Sequence, residues 1–199
     1  MTTRRAVLGL IAASPALAAA APSSGDVLVA AARRQIGVTT GFDQGYRKIG
    51  YPWGDPPRST GVCADVVVRA VRDAWRLDLQ QLVHADMSRD FAAYPKRWGL
   101  RSPDSNIDHR RVPNLETYWS RHGATVWRAQ ARSIGFPGPL QAGDFLTWRS
   151  FLGGGPHVAI VSEGGLWPKV IQNFGAGVRE YPLAPFLTGP GGHYRWRPV

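Results

Sequence analysis

The sequence predicts an α+β fold in which helices come first and an antiparallel sheet follows. The segments with helical periodicity all lie before residue 124, whereas the later segments are short and rich in β-branched and aromatic residues. Of the 199 residues, 44% are hydrophobic, which suits one globular domain. We therefore expect a single domain over residues 22–199, in which a helix packs on a five-stranded sheet.

The N-terminal residues indicate an export signal. Arg4 and Arg5 precede an apolar stretch at residues 6–13, and an Ala-x-Ala exit follows it. This pattern predicts a secretory signal peptide over residues 1–21, and it resembles a twin-arginine signal in which Val7 replaces the usual phenylalanine. A membrane anchor is the alternative. We expect a periplasmic or secreted protein without stable membrane insertion once the signal is cleaved.

Basic residues outnumber acidic ones and give a formal net charge of +10 at pH 7. Such a charge suits nucleic acid, an anionic membrane surface or an acidic polymer as a partner. The basic residues are almost all arginines, form no dense run and accompany no nucleic-acid motif. We therefore expect no nucleic-acid partner, while an anionic cell-wall polymer agrees with the charge.

Helix and strand signals follow one another in a simple order. The predicted helices are residues 26–36, with Asp26 as a possible cap, 61–75, a segment after Leu77 that continues through Tyr94, and 113–123. Glycine, proline and aromatic residues at 39–58 predict an ordered loop, and residues 95–113 an irregular connection. The predicted strands are residues 125–128, 143–149, 157–163, 169–174 and 193–197.

The single cysteine, Cys63, lies at the start of the predicted helix 61–75, on its apolar stripe. Asp65 and Arg69 fall on the opposite, polar side, and the hydroxyl residues at 59–60 are placed to cap the first free amides. In a first turn the helix dipole and the free N–H groups favour thiolate over thiol, which suits a nucleophile. The alternative is a buried and inert thiol, since free cysteines often act as small hydrophobes.

A thiol nucleophile needs a nearby base and a third group that orients the base. Among the five histidines, His157 is the strongest candidate, because it follows a glycine-rich loop and opens an apolar strand. Gln172 and Asn173 in the next strand each offer an amide that can hold the imidazole toward a thiol. The histidines that suit surface, capping or packed positions are His84, His122 and His193.

A polar loop between two predicted helices carries Asp108, His109, Arg110 and Arg111. These residues can form a wall of a cleft and bind a substrate carboxylate, because guanidinium groups bind carboxylates bidentately. The alternative is an internal salt-bridge network that pins the loop to the domain. No three or four ligands converge in the sequence, so we expect no metal site.

Together these residues resemble the NlpC-type, papain-like cysteine peptidases of bacterial cell walls. The resemblance is carried by Cys63 at a helix start, by Gly143-Asp144 before a strand, and by His157 at the start of His-Val-Ala-Ile-Val. More closely, the chain is similar to an uncharacterised family of exported bacterial proteins assigned to that superfamily. The matching runs are residues 61–67, 78–87, 94–100, 106–115, 157–162, 171–175 and 192–195.

The resemblance implies a papain-like fold with Cys63 as the nucleophile and His157 as the base. It places the orienting residue at Gln172, where the closer family usually has histidine followed by asparagine, so Asn173 stays the alternative. A tyrosine upstream of the cysteine can help to hold the oxyanion in NlpC-type enzymes, and Tyr51 is suitably placed.

Two further groups near the cysteine are candidates for contacting the substrate or its oxyanion. One is Asp65, two residues after Cys63. The other is the backbone amide of Cys63 itself, because the first turn of a helix presents free N–H groups.

The implied function is that of a monomeric cysteine hydrolase without a cofactor. Its substrate would be an amide bond in peptidoglycan peptides, cleaved as by a peptidase or an amidase. Deamidase or acyltransferase chemistry on the same pair of residues stays open, because one catalytic pair serves many acyl acceptors. A second alternative is a non-catalytic cell-wall-binding or envelope module on the same fold.

Overall fold

The structure is a computed structural model and describes residues 21–130, 133, 135–149, 155–184 and 189–197. The predicted signal peptide at residues 1–21 lies outside these ranges except for its last residue, and so does most of the glycine-rich stretch before His157. Within the ranges that are described, no helix is long and apolar enough to cross a membrane.

Four α-helices occupy the first part of the described chain. They are α1 (Ser24–Arg33), α2 (Cys63–Trp75), α3 (Leu79–Arg89) and α4 (Val112–Arg121), with short 3-10 helices at Phe91–Ala93 and Asp108–Arg110. The helix predicted to continue through Tyr94 ends at Arg89 as an α-helix. Asp90 leaves the helical conformation there, with φ −150° and ψ 72°, and its side chain caps the following 3-10 turn.

The starts of α1 and α2 differ from the predicted caps. Ser23, not Asp26, is the N-cap of α1, and the two side chains form a reciprocal capping box. The N-cap of α2 is Val62, whose backbone N–H donates to the carboxylate of Asp65 at 2.6 Å. The predicted hydroxyl cap at residues 59–60 is therefore wrong, and an acidic side chain from inside the helix takes its place.

The described strands are β1 (Gly41–Phe42), β2 (Thr60–Gly61), β3 (Thr125–Arg128), β4 (Phe145–Arg149), β5 (Pro156–Glu163), β6 (Lys169–Asn173), β7 (Val178–Pro182) and β8 (Pro190–Tyr194). Strands β1 and β2 form a separate parallel pair on either side of the loop 43–59. The other six form an antiparallel sheet in the order β3-β8-β4-β5-β6-β7. The α+β class predicted from the sequence is confirmed.

The predicted count of five strands is wrong, because β7 was not anticipated. This strand lies at the edge of the sheet, buries only Val178 and ends in a proline, so its sequence lacks the alternating apolar pattern of a strand with one face in the core. The last strand is also displaced: β8 ends at Tyr194, whereas residues 193–197 were predicted.

The two faces of the sheet carry separate hydrophobic clusters. Along β5, Val158 and Ile160 face the cluster that contains the helices, whereas Ala159 and Val161 belong to the cluster on the other face. Helix α2 packs against β5 and contributes Cys63 to the first cluster. This packing brings the N-terminal end of α2 to the start of β5.

The predicted polar face of α2 is buried. Arg69 is fully buried and donates to Asp55 at 2.8 Å, to the carbonyl of Pro56 at 3.1 Å and to the hydroxyl of Thr39 at 3.2 Å. Asp65 is buried as well. Two different loops cover these polar residues: the loop that precedes the helix supplies Asp55 for Arg69, and the loop 95–111 supplies Arg110 for Asp65.

The Gly143-Asp144 motif anchors the C-terminal strand. Asp144 is fully buried and accepts hydrogen bonds from His193 at 2.8 Å, Arg195 at 2.8 Å and Arg197 at 3.3 Å. Burial raises the pKa of this carboxyl, but the bonds from His193 and Arg195 outweigh the effect and bring the pKa to about 2. The structural role of Asp144 is therefore to hold the C-terminal strand and the residues that follow it.

Candidate active site

A cleft of about 580 Å³ opens where the N-terminus of α2, the start of β5 and two long loops meet. Cys63 and His157 both line this cleft. The apolar and aromatic part of its lining comprises Phe42, Tyr46, Trp98, Ile107 and Phe174. A concave, largely apolar site with a few converging polar groups is the usual form of a ligand or substrate pocket.

Cys63 is the first residue of α2, and its position depends on the glycine before it. A Cβ atom at Gly61 would lie 3.0 Å from side-chain atoms of both Arg69 and Asp65, so a larger residue here would crowd these two buried side chains. The carbonyl of Gly61 also accepts a hydrogen bond from Asn173 at 2.9 Å. The approach to the helix is therefore held from two sides.

The electrostatics of Cys63 differ from the predicted thiolate. The side chain is 7% exposed, and burial raises the pKa of the thiol to about 11. The backbone N–H groups of Val158, Ala64 and Cys63 itself lie at the sulfur and act in the opposite direction. Desolvation outweighs them, so the resting group is a neutral thiol.

His157 is the second residue of β5, and the N–H of the next residue, Val158, lies at the sulfur of Cys63. Its imidazole packs between the rings of Trp148, with centroids 4.8 Å apart, and Phe174, at 5.0 Å. The side chain is 6% exposed, and burial lowers its pKa to about 4. His157 is therefore neutral at pH 7, the form that a general base requires.

Of the two amides proposed to orient His157, the structure brings Gln172 to it. The contact with Gln172 opposes the effect of burial and raises the pKa of the imidazole. Nε2 of His157 and both amide atoms of Gln172 are buried, and none has a well-formed hydrogen bond within the described chain. A polar group without a partner is stabilised when it meets one, so this pair is suited to holding an imidazolium once a proton arrives.

Asn173 has a different role. Its amide donates to the carbonyls of Gly41 at 3.0 Å and Gly61 at 2.9 Å, and its carbonyl accepts from the N–H of Gly175 at 3.2 Å. These bonds tie the end of β6 to β1 and β2 and thereby to the start of α2. Asn173 thus positions backbone around the cleft and does not contact His157 in the described hydrogen bonds.

Tyr51 does not line the cleft. Its ring packs edge-on against His84, with centroids 5.1 Å apart, and is largely exposed. The tyrosine that lines the cleft is Tyr46, whose hydroxyl donates to Asp104 at 3.1 Å. Both tyrosines belong to the predicted loop 39–58, and nothing in its glycine- and proline-rich sequence distinguishes the one that faces the cysteine.

Asp65 forms a buried ion pair with Arg110. Nε and Nη2 of Arg110 donate to the two carboxylate oxygens at 2.7 and 2.9 Å, and both side chains are almost fully buried. The pair joins the first turn of α2 to the loop 95–111. Arg110 also lines the cleft, so it both anchors the loop and contributes to the site.

Asp108 and Arg111 pair within the same loop, at 2.9 Å. Arg111 lies over the ring of Trp98, with its guanidinium carbon 4.0 Å from the centroid, and lines the cleft. His109 is buried away from the cleft, and burial lowers its pKa to about 3. Both interpretations of this loop therefore hold in part: its ion pairs pin it to the domain, and two arginines still form a wall of the cleft.

The remaining histidines lie elsewhere. His193 contacts Asp144, and His122 stacks against Tyr118 at the end of α4, with its Nδ1 2.8 Å from the Tyr118 carbonyl. No group of three or more histidine, cysteine or acidic side chains that could hold a metal ion occurs in the described ranges.

Several residues of the site were not anticipated from the sequence. Gln80 is fully buried and donates to the carbonyls of Gly50 and Ser105, so it braces the loops on both sides of the cleft. Phe42 and Trp98 in those loops form apolar walls. Aromatic residues in glycine- and proline-rich loops were the available signal, but their direction depends on contacts far away in the sequence.

Comparisons with known proteins identify a matching family and a similar protein from Escherichia coli. Residues 29–196 match a family described as a domain of unknown function, DUF1287. The chain is also 48% identical over 168 residues to YijF of Escherichia coli (strain K12), an uncharacterized protein, and the match covers 83% of this chain and 78% of YijF. Neither description states an activity.

Proposed function

Because the chain belongs to the DUF1287 family, whose description assigns no activity, we propose its function from the cleft. We propose that the protein is an exported, papain-like cysteine hydrolase that cleaves amide bonds in peptidoglycan peptides. The observation that carries this proposal is the meeting of Cys63 and His157 in one cleft, with Gln172 against the imidazole. A thiol, a neutral base and an orienting amide are the groups that nucleophilic catalysis on an amide needs.

In the proposed reaction the sulfur of Cys63 attacks the amide carbonyl carbon while His157 accepts the thiol proton. The resulting tetrahedral intermediate breaks its C–N bond, and the imidazolium returns the proton to the leaving amine. A water molecule then attacks the thioester as His157 removes its proton, and release of the acid restores the thiol. Each turnover thus consumes one water and yields one amine and one carboxylic acid.

The resting charges favour transfer of the proton during the attack. A thiol pKa of about 11 beside an imidazole pKa of about 4 disfavours a pre-formed ion pair. The N–H groups that lie at the sulfur, those of Val158, Ala64 and Cys63, are available to stabilise the negative charge that would develop on the substrate oxygen during the attack. Gln172 then stabilises the imidazolium that forms beside it.

The proposed substrate class is supported by the chemistry of the cleft and by the sequence. Of the described residues that line the cleft, Arg110 and Arg111 are permanently charged and none is acidic. Such a lining suits a peptide that carries carboxylates, as the stem peptides of the cell wall do. The predicted export signal would bring the protein to the periplasm or the exterior, where that polymer is found.

A second candidate function is a wall-binding module without turnover. It is favoured by the neutral state of Cys63 and by the lack of a hydrogen bond between Cys63 and His157 in the described chain. Catalytic hydrogen bonds are often long before substrate binds, so this geometry is compatible with either function.

Digestion of purified sacculi separates the two functions. The mature wild-type chain and the Cys63→Ala variant are incubated with sacculi, and soluble and muramidase-released fragments are compared by mass spectrometry. Because the cysteine side chain is small, alanine in its place should leave the fold intact. Fragments that only the wild type produces would support the hydrolase, whereas equal sacculus binding by both proteins without new fragments would favour the binding module.

A further inference from the structure

Arg110 has one end of its guanidinium group without a partner. Nε and Nη2 donate to Asp65, but the buried Nη1 has no hydrogen-bond acceptor in the described chain. The residue is 6% exposed and lines the cleft. A buried donor without an acceptor is costly, and the cost is recovered when a ligand supplies an oxygen.

The ion pair places this donor close to the nucleophile. The charge of Asp65 acts on the thiol of Cys63, and Arg110, which pairs with Asp65, lines the same cleft as Cys63. Two bonds to one carboxylate also fix the plane of the guanidinium group. Arg110 is therefore pre-organised, and binding a ligand through Nη1 costs it little side-chain entropy.

The surroundings of Arg110 favour an anionic ligand. Asp65, the partner of Arg110, and Asp108, the partner of Arg111, are almost fully buried and do not line the cleft. Asp43, whose charge also acts on Arg110, pairs with Arg47 and does not line the cleft either. Arg110 and Arg111 are thus the charges that the cleft presents, beside apolar walls such as Trp98 and Ile107. A carboxylate with an apolar neighbour matches this combination.

We propose that Arg110 binds the terminal α-carboxylate of the substrate peptide, so that the enzyme removes the C-terminal residue. This inference rests on the proposed hydrolase function and specifies its substrate. In a peptide the terminal carboxylate lies one residue, about 3.8 Å, beyond the scissile carbonyl. That short separation fits a carboxylate-binding group in the same cleft as the attacking sulfur. The reaction is hydrolysis of the last peptide bond, and the released product is a free amino acid.

Paired substrates test this inference. Synthetic wall stem peptides are offered to the mature chain as free C-terminal acids and as the corresponding C-terminal amides. A charge-assisted hydrogen bond to the acid should make its kcat/KM about tenfold to a hundredfold higher than that of the amide. In Arg110→Gln this ratio should fall to about one, mainly because kcat/KM for the acid decreases. Because the ratio is measured within one protein, it does not depend on how much of the variant folds.

Arg121→Gln is the matched control. Arg121 pairs with Asp86 at 2.7 Å and with Asp90 at 3.0 Å, and it does not line the cleft. Its substitution should therefore leave the acid-to-amide ratio unchanged. Equal cleavage of acid and amide by the wild type, or cleavage of internal bonds alone, would overturn the role of Arg110 and leave the hydrolase standing.

A binding measurement covers the case in which neither peptide is cleaved, which would count against the hydrolase itself. Titration of the Cys63→Ala variant with the same acid and amide then reports on the Arg110 site alone. Tighter binding of the acid, lost in Cys63→Ala/Arg110→Gln, would support the carboxylate site without turnover. Equal or absent binding of the two peptides would overturn it.

Discussion

Alkylation of Cys63 is expected to be slow at neutral pH and to rise steeply in alkali. The thiol is buried, which raises its pKa to about 11 from an ordinary value of 9.0. At pH 7 this leaves about one molecule in 10⁴ as thiolate, against about one in 10² at the ordinary pKa. Since the thiolate is the reactive form, iodoacetamide should label folded Cys63 about a hundredfold more slowly than an unfolded cysteine.

The assay is the rate of labelling from pH 5 to 10, followed by intact mass. The chain has a single cysteine, so each added carbamidomethyl group reports on Cys63. Urea-unfolded protein and His157→Ala serve as references. The logarithm of the labelling rate of folded Cys63 is expected to increase with pH and to show no plateau below pH 10. A plateau with a midpoint at or below pH 7 that disappears in His157→Ala would show a resting thiolate–imidazolium pair and refute the neutral pair.

Three further predictions concern stability and the orienting amide. Asp144→Asn should lower the free energy of unfolding at pH 7 by about 3 kcal/mol, because it removes the buried carboxylate that accepts hydrogen bonds from His193 and Arg195. Urea denaturation measures the loss. Wild-type stability should fall as the pH drops from 6.5 toward 3, since folding lowers the pKa of His157 to about 4 and of His109 to about 3, and the unfolded chain then binds more protons. Gln172→Ala should lower the pKa of His157 further, as followed by NMR titration. It should also raise the activation free energy derived from kcat by more than it lowers the free energy of unfolding.

Controls for these predictions lie within the same chain. The stability difference between wild type and Asp144→Asn should shrink as the pH falls from about 4 to 2, because a depressed pKa contributes stability only above it. His109→Gln should flatten the acid limb of the stability curve, and an unchanged limb would contradict the assignment of that titration to His109. Asn173→Ala is the counterpart of Gln172→Ala, with an expected loss of stability and an unchanged pKa of His157.

The order of helices and central strands could be predicted from the sequence because each carries a local pattern. The apolar stripe of α2 and the Val-Ala-Ile-Val run of β5 are strong signals of this kind. Strand β7 has no such pattern, because an edge strand buries few of its side chains. The extra strand of the sheet therefore became visible only in three dimensions.

The polar side of α2 shows a different limit of sequence patterns. Asp65 and Arg69 have the spacing of solvent-facing residues, yet both are buried beside partners at Arg110 and Asp55. Charge periodicity predicts the face of a helix on which a residue lies. It does not indicate whether a loop from elsewhere in the chain covers that face with opposite charges.

Within the candidate site, the residues themselves indicated Cys63 and His157, and the family resemblance implied Gln172 in preference to Asn173. The structure brings Cys63 and His157 into one cleft and Gln172 against His157. Their electrostatics were harder to anticipate. The helix start favours a thiolate, but the degree of burial decides the pKa, and burial depends on loops from two other parts of the chain. Tyr51, which the resemblance implied, packs on His84 instead of lining the cleft, and Tyr46 lines it, because the direction of each ring depends on long-range contacts.

In the proposed reaction the sulfur of Cys63 forms a covalent thioester bond with the acyl part of the substrate. Wild-type protein mixed with stem peptides and quenched in acid should gain the mass of the acyl part of the peptide, and fragmentation should place that mass on Cys63. This thioester should form in the wild type, should form slowly in His157→Ala, and should be absent in Cys63→Ala. Release of the same products by Cys63→Ala would show that Cys63 is not the nucleophile.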